Sequence, residues 1–155
     1  KRLAECCQIH IADCPSAHEP SSVFVYEVIA ALGGETAFYR DWYINSICPL
    51  GFTSNGKNGR QKNFNYYDHP DLQRAALPFM LESLQRQLAF GIRRDACFCF
   101  GMGKNAVFIE KLNDRYGFFE KIVPLEHPRY IAQYKWKERR EYINKYISLF
   151  GMYSS

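Results

Sequence analysis

Residues 95–125 read DACFCFGMGKNAVFIEKLNDRYGFFEKIVPL, and their changing periodicity decides the fold class. The apolar run CFCF has the length of a buried strand, and glycines bound it at 101 and 103. A helical pattern then carries to Tyr116, Gly117 closes it, and FFEKIVPL supplies a second short strand. The alternation continues on both sides. Upstream, EPSSVFVYEVIAALGG (19–34) predicts a helix capped by Ser21 or Ser22. Its Phe24, Val28, Ala31 and Leu32 follow helical spacing, and Gly33-Gly34 stops it. ETAFYRDW gives a short helix, and YINSICPL (43–50) reads as a buried strand stopped by Pro49. The polar, Gly/Asn-rich residues 51–69 predict a long loop. Residues 70–92 are helical, with Leu77, Leu81, Leu84 and Leu88 in one stripe and Pro78 expected to break or kink it. Residues 135–150 form a last helix with Trp136, Ile143, Ile147 and Phe150 inward. Residues 1–18 show no clear period and predict a loop or short helix followed by an extended link.

Strands alternating with helices predict an α/β fold whose parallel sheet is covered on both faces, in three layers. Ligands in such folds lie beyond the carboxyl ends of the strands. Here those ends are NSICPLGF, CFGMGKN and PLEHPRY.

At 155 residues the chain fits one domain, and 47% hydrophobic against 23% charged residues excludes a disordered chain. Aromatics at 16% and a net charge of +4 suit a surface that stacks on bases and neutralises phosphates, without singling out a partner. No apolar run approaches the ~20 residues of a membrane span, and no signal peptide is recognisable. Cysteines stand at 6, 7, 14, 48, 97 and 99. None forms C-x-x-C, so reduced thiols in a cytoplasmic protein are expected, with no metal and no cofactor.

GMGKN lacks the spacing and the hydroxyl of a phosphate loop and reads as a tight turn into a helix. Cys48 and His127 stand at two strand ends, but Cys48 precedes a proline in an apolar run, which favours packing over nucleophilic chemistry. His10, His18 and His69 have no partners at recognisable spacing. His127 differs because Pro128 fixes the backbone behind it and Arg129 follows directly.

EHPRYIAQYK after one strand, NSICPLGF after another, NFNYYD and CFCFGMGKN together resemble one family. It is the single-strand-selective monofunctional uracil-DNA glycosylases, in particular their bacterial second subfamily, within the uracil-DNA glycosylase superfamily. The resemblance runs from about Cys14 to Phe150 and includes EPSSVFVYEVIAALGG and FYRDWYINSICPLGF. It implies that His127 is catalytic, hydrogen-bonding uracil O2 as negative charge develops on the departing base. Pro128 to Gln133 matches the segment that wedges into DNA, with Tyr130 or Ile131 filling the space of a flipped base and Arg129 on phosphate. The family's base-reading Asn corresponds to Ser46, with Asn45 one residue earlier; neighbours in a strand face opposite ways, so both cannot line the pocket. Arg139 and Arg140, after the wedge, are expected to neutralise phosphates.

The resemblance also implies a departure. The family's first motif, a Gly-x-Asn-Pro-Gly type turn with a following Phe, is not in this sequence, nor is the central strand leading into it. The expectation is therefore one uracil-DNA-glycosylase-like domain over 1–155, truncated at its amino end and inactive alone. The whole protein would act as a monomer on uracil or a related deaminated base in DNA. Two other readings stay open: a non-catalytic nucleic-acid-binding domain of the same fold, and a small-molecule hydrolase using Cys48 and His127.

Overall fold

A computed structural model describes residues 20–55 and 61–154; the expectations for residues 1–18 lie outside them. Helix α1 (Pro20–Ala31) starts on its proline, whose missing N–H costs nothing in the first turn. Ser21 and Ser22 thus sit inside the first turn and not at the cap position. Gly33 and Gly34, at φ +97° and +89°, turn the chain, and the Gly34 N–H returns to the Ile29 carbonyl. Helix α2 (Glu35–Asp41) follows.

Residues 42–50 correct the first strand expectation: no ladder forms there. Tyr43, Ile44 and Leu50 are exposed, and only Cys48 is buried. A strand exists only through a partner, and among the described residues none pairs with this segment. The long loop expected over 51–69 is also corrected where residues 51–55 and 61–69 are described. They hold an antiparallel hairpin, β1 (Phe52–Asn55) with β2 (Gln61–Phe64), and a 3-10 turn at Tyr66–Asp68.

Helix α3 (Pro70–Leu88) runs through Pro78 without ending. Pro78 lies on the exposed face, where water can satisfy the one carbonyl it orphans. The strand–helix–strand unit forms as read: β3 (Cys97–Phe100), α4 (Lys104–Tyr116) and β4 (Ile122–Leu125). β3 and β4 pair in parallel with Phe98 opposite Val123 and Phe100 opposite Leu125. The final helix is split. Helix α5 (Pro128–Tyr134) leads through a 3-10 turn at Trp136–Glu138 into α6 (Arg139–Gly151), so Trp136 is exposed and not inward, while Phe150 is buried.

Side-chain alternation on the parallel pair sorts the helices into layers. Phe98, Phe100 and Leu125 pack with α1, α2, α5 and α6 through Phe24, Val28, Phe38, Ile131, Tyr146 and Phe150. Across the sheet, Leu84 of α3 and Leu112 of α4 close on Phe118. Nearer the hairpin, Cys48, Tyr66, Ala76 and Met80 form a third cluster.

The edges of the pair are unequal. The Cys97 and Gly101 N–H groups donate to Lys121 and Leu125, so by alternation the amides of Phe98 and Phe100 point the other way. On β4 the same phase turns Pro124 outward, where no ladder donor is needed, as suits an edge strand. Among the described residues the other edge of β3 is open, and β3 and residues 42–50 line one cleft.

Candidate nucleic-acid site at the strand ends

Between that open edge and residues 42–50 lies a cleft of about 1240 Å³, bordered by Ser46, Cys48, Cys99, Asn105, His127 and Arg129. It brings together the three strand-end segments singled out in the sequence.

His127 owes its place to a helix cap. It is the residue before α5, at φ −68° and ψ 132°, and its Nδ1 accepts the Arg129 amide N–H at 3.1 Å. A Ser or Asp oxygen ordinarily fills that role. Pro128 behind it is buried at the first helical position, with φ already suited to a helix. The corner is thus a helix start in which histidine has replaced the usual capping residue. With Nδ1 accepting, the ring proton lies on Nε2, and the imidazole is a hydrogen-bond donor on its other side.

Gly101 lies beside this ring and is a glycine for its backbone, not for space. Its φ of +117° favours glycine, and a Cβ there would stand 3.9 Å from both His127 Cδ2 and Asn105 Cβ. Asn105 links three elements of the cleft wall. Its Oδ1 accepts the Tyr66 hydroxyl at 2.8 Å, and its Nδ2 donates to the Phe100 carbonyl at 3.4 Å and contacts Cys99 Sγ at 3.5 Å. Burial raises the Tyr66 phenol well above its usual range, so it stays a donor. Tyr66 and Asn105 are cleft residues that sequence reading missed; GMGKN and NFNYYD gave no sign that their side chains meet.

The base-reading candidates both border the cleft, and both are held by their own loop. Asn45 Oδ1 accepts the Ser46 N–H at 2.7 Å and its Nδ2 donates to the Tyr43 hydroxyl at 3.0 Å. The Ser46 hydroxyl donates to the Cys48 carbonyl at 2.8 Å, which leaves its lone pairs to accept from a ligand.

The wedge candidates separate sharply. Arg129 and Tyr130 are exposed, whereas Ile131 is fully buried among α1 and α6. Ile131 is therefore a core anchor of α5 and is corrected as a wedge, leaving Tyr130 as the aromatic at the surface. Arg140 is exposed. Arg139 is half-buried, paired to Glu27 of α1 at 3.1 Å, with its guanidinium 4.6 Å over the Trp136 ring.

Cys48 is 7% exposed and packs with Tyr66, Ala76 and Met80. Cys97 and Cys99 are pushed up to about 11 and about 12, chiefly by desolvation. Such thiols are inert near neutral pH. Among the described residues no His, Cys, Asp or Glu cluster could hold a metal, and no helix is long and apolar enough to cross a membrane.

Residues 13–151 match the family model of the uracil DNA glycosylase superfamily. Among solved structures, that of wild-type Pedobacter heparinus SMUG2 is similar at 52% sequence identity with a TM-score of 0.85, covering 97% of this chain. The chain spans 64% of the length of that one. No curated protein matches. The layered helices, the parallel pair and the cleft at its strand ends are thus those of a three-layer α/β/α fold of this kind, and the chain belongs to the uracil DNA glycosylase superfamily, closely related to its SMUG type.

Proposed function

We propose that the whole protein excises uracil, or a related deaminated base, from DNA by hydrolysing its N-glycosidic bond. This chain contributes the histidine, the base-reading loop and the DNA wedge, as part of a single domain. The observation that carries the reading is the geometry of His127. The ring caps α5 through Nδ1 and borders a cleft large enough for a base.

The chemistry follows from the donor on that ring. As the bond from C1′ to the base nitrogen breaks, its electron pair stays on the base and spreads to O2. A hydrogen bond from Nε2–H stabilises that charge where it develops, without a proton having to move. Water adds its oxygen to C1′, and the proton it loses reaches the base anion through solvent, leaving a neutral free base and an abasic sugar. The base must first leave the stack or lie in a single strand. Exposed Tyr130 fills the vacated space, and Arg129 and Arg140 meet phosphates. DNA is the partner, the protein acts as a monomer in the cytoplasm, and neither metal nor cofactor takes part.

The test is excision from a uracil-containing oligonucleotide by the full-length protein, with His127→Ala as control. Release of uracil that the variant abolishes supports the reading. Tight DNA binding with no release would favour the non-catalytic binding domain.

A further inference from the structure

The residue before His127 is held twice by one helix. Glu126 receives two adjacent side chains of α6: the Lys145 ammonium lies 2.7 Å from its Oε1, and the Tyr146 hydroxyl donates to its main-chain carbonyl. Its other oxygen, Oε2, is shut off from solvent and has no hydrogen-bond partner among the described residues. The carboxylate therefore depends on Lys145 for compensation.

Tyr146 is a rigid donor. It is 1% exposed, edge-on to Phe24 at 5.3 Å, stacked on Phe100 at 6.0 Å and edge-on to Phe150 at 5.8 Å. Burial, then the nearby Glu126 charge, keeps its hydroxyl protonated. A ring fixed on three sides places that O–H at one point, and the Glu126 carbonyl must meet it. The Glu126 carbonyl belongs to the peptide plane that carries the His127 nitrogen and Cα, so fixing it fixes the atom from which the His127 side chain departs. On the far side the Arg129 amide holds Nδ1. The imidazole is thus located from behind by α6 and from in front by α5.

We infer that Tyr146 and Lys145 are positioning residues for His127: Tyr146 sets the Glu126–His127 peptide, and Lys145 neutralises Glu126 beside the DNA-facing corner. An uncompensated carboxylate one residue before His127 would repel phosphates and oppose the charge arriving on the departing base. The inference rests on the glycosylase reading for its consequence in catalysis, and on the fold alone for its consequence in His127 geometry.

The test uses full-length protein carrying Tyr146→Phe, which keeps the ring packing and removes only the hydroxyl. Single-turnover excision should fall roughly 10–100-fold, the range expected when a catalytic donor loses its alignment. Affinity for abasic-site DNA should change by less than about threefold, since no DNA-facing group is altered. Ring ¹⁵N signals of His127, identified by their loss in His127→Ala, should shift or broaden in Tyr146→Phe. Unchanged excision together with unchanged His127 signals would overturn the inference. If the wild type releases no base, the glycosylase reading falls, and the ring signals still decide the positioning claim. Lys145→Gln, on the half-exposed surface, gives a second route should Tyr146→Phe unfold. It should weaken DNA binding, and adding Glu126→Gln should restore it. Failure of that restoration would overturn the charge-masking half.

Discussion

Arg139 Nε lies 3.1 Å from the Glu27 carboxylate, tying the start of α6 to the middle of α1. The same guanidinium covers the Trp136 ring at 4.6 Å. An arginine so engaged is a structural clamp first, and a phosphate ligand only at the cost of releasing Glu27. Arg140, its exposed neighbour, makes no such pair among the described residues. Arg140→Gln should therefore reduce the slope of log affinity against log salt by about 0.9, the loss of one phosphate contact. Arg139→Gln should leave the slope nearly unchanged and cost about 1 kcal/mol of stability through the ion pair and the ring contact. Filter binding across a salt series and urea unfolding separate the two; equal slopes for both variants would refute the assignment.

Removing the donor should be costly for chemistry and cheap for binding. His127→Ala in the full-length protein is expected to lower excision by roughly 10²–10³, the usual loss for one charge-stabilising donor. Abasic-site binding should persist, because Arg129 and Tyr130 remain. Normal excision by the variant would make His127 a helix cap and nothing more.

Adjacent residues 130 and 131 should fail in opposite ways. Ile131 is fully buried, so Ile131→Ala should cost about 2–5 kcal/mol. Tyr130 is 44% exposed, so Tyr130→Ala should leave the unfolding midpoint within about 0.5 kcal/mol while weakening DNA binding. Thermal unfolding with parallel binding assays would show it.

The parts of the fold legible in the sequence were those whose evidence is local. CFCF, the helix to Tyr116 and IVPL each announce their own period, and the strand–helix–strand unit forms as read. YINSICPL carries an equally apolar pattern, yet a strand is a relation between two backbones, and nothing within residues 43–50 reveals whether a partner lies alongside. The pairing of 52–55 with 61–64 was hidden for the reverse reason, since the Gly- and Asn-rich composition of the whole stretch outweighed two four-residue strands. His127 was singled out, but not as a helix cap, because capping rules look for Ser, Thr, Asp and Asn. The Tyr146 hold on Glu126 spans twenty residues and depends on how α6 crosses the sheet. Tyr66 and Asn105, thirty-nine apart, meet for the same kind of reason.

Desolvated thiols predict how stability depends on pH. Desolvation raises Cys97 to about 11 and Cys99 to about 12, whereas in the unfolded chain both titrate near their ordinary value of about 8.5. Above that value the unfolded state binds fewer protons than the folded one, so stability falls as pH rises. Their contribution should be flat through neutral pH, decline from about pH 8.5, and level off only beyond their folded-state values. Replacing both with Ala should remove that share of the alkaline decline, measured by urea midpoints between pH 7 and 10. Alkylation at pH 7.5 should likewise be slow in the folded state; rapid labelling of either residue would contradict the burial.

Specificity should turn on which half of a hydrogen bond Ser46 has left to offer. Its hydroxyl proton is committed to the Cys48 carbonyl at 2.8 Å, and the neighbouring Asn45 amide is turned onto Tyr43 and the Ser46 N–H. What Ser46 presents to the cleft is an acceptor. Deamination of cytosine or adenine converts a bare ring nitrogen into an N–H, so uracil and hypoxanthine carry a donor where the parent bases carry a lone pair. An acceptor-only serine would favour the deaminated forms and set two lone pairs against each other with cytosine. It offers no donor to the adjacent carbonyl, and so distinguishes uracil from other such bases only weakly. Ser46→Ala should lower kcat/KM on uracil about tenfold, corresponding to ~1.4 kcal/mol for one lost hydrogen bond. Ser46→Thr, which keeps the hydroxyl, should retain most of the activity. Ser46→Asn adds a donor for the carbonyl, and should raise the preference for uracil over hypoxanthine by ten- to a hundredfold. The measurement is excision by the full-length protein from oligonucleotides differing only in that base. Equal rates for wild type and Ser46→Ala would remove Ser46 from the base-reading site and return the role to another residue of the cleft.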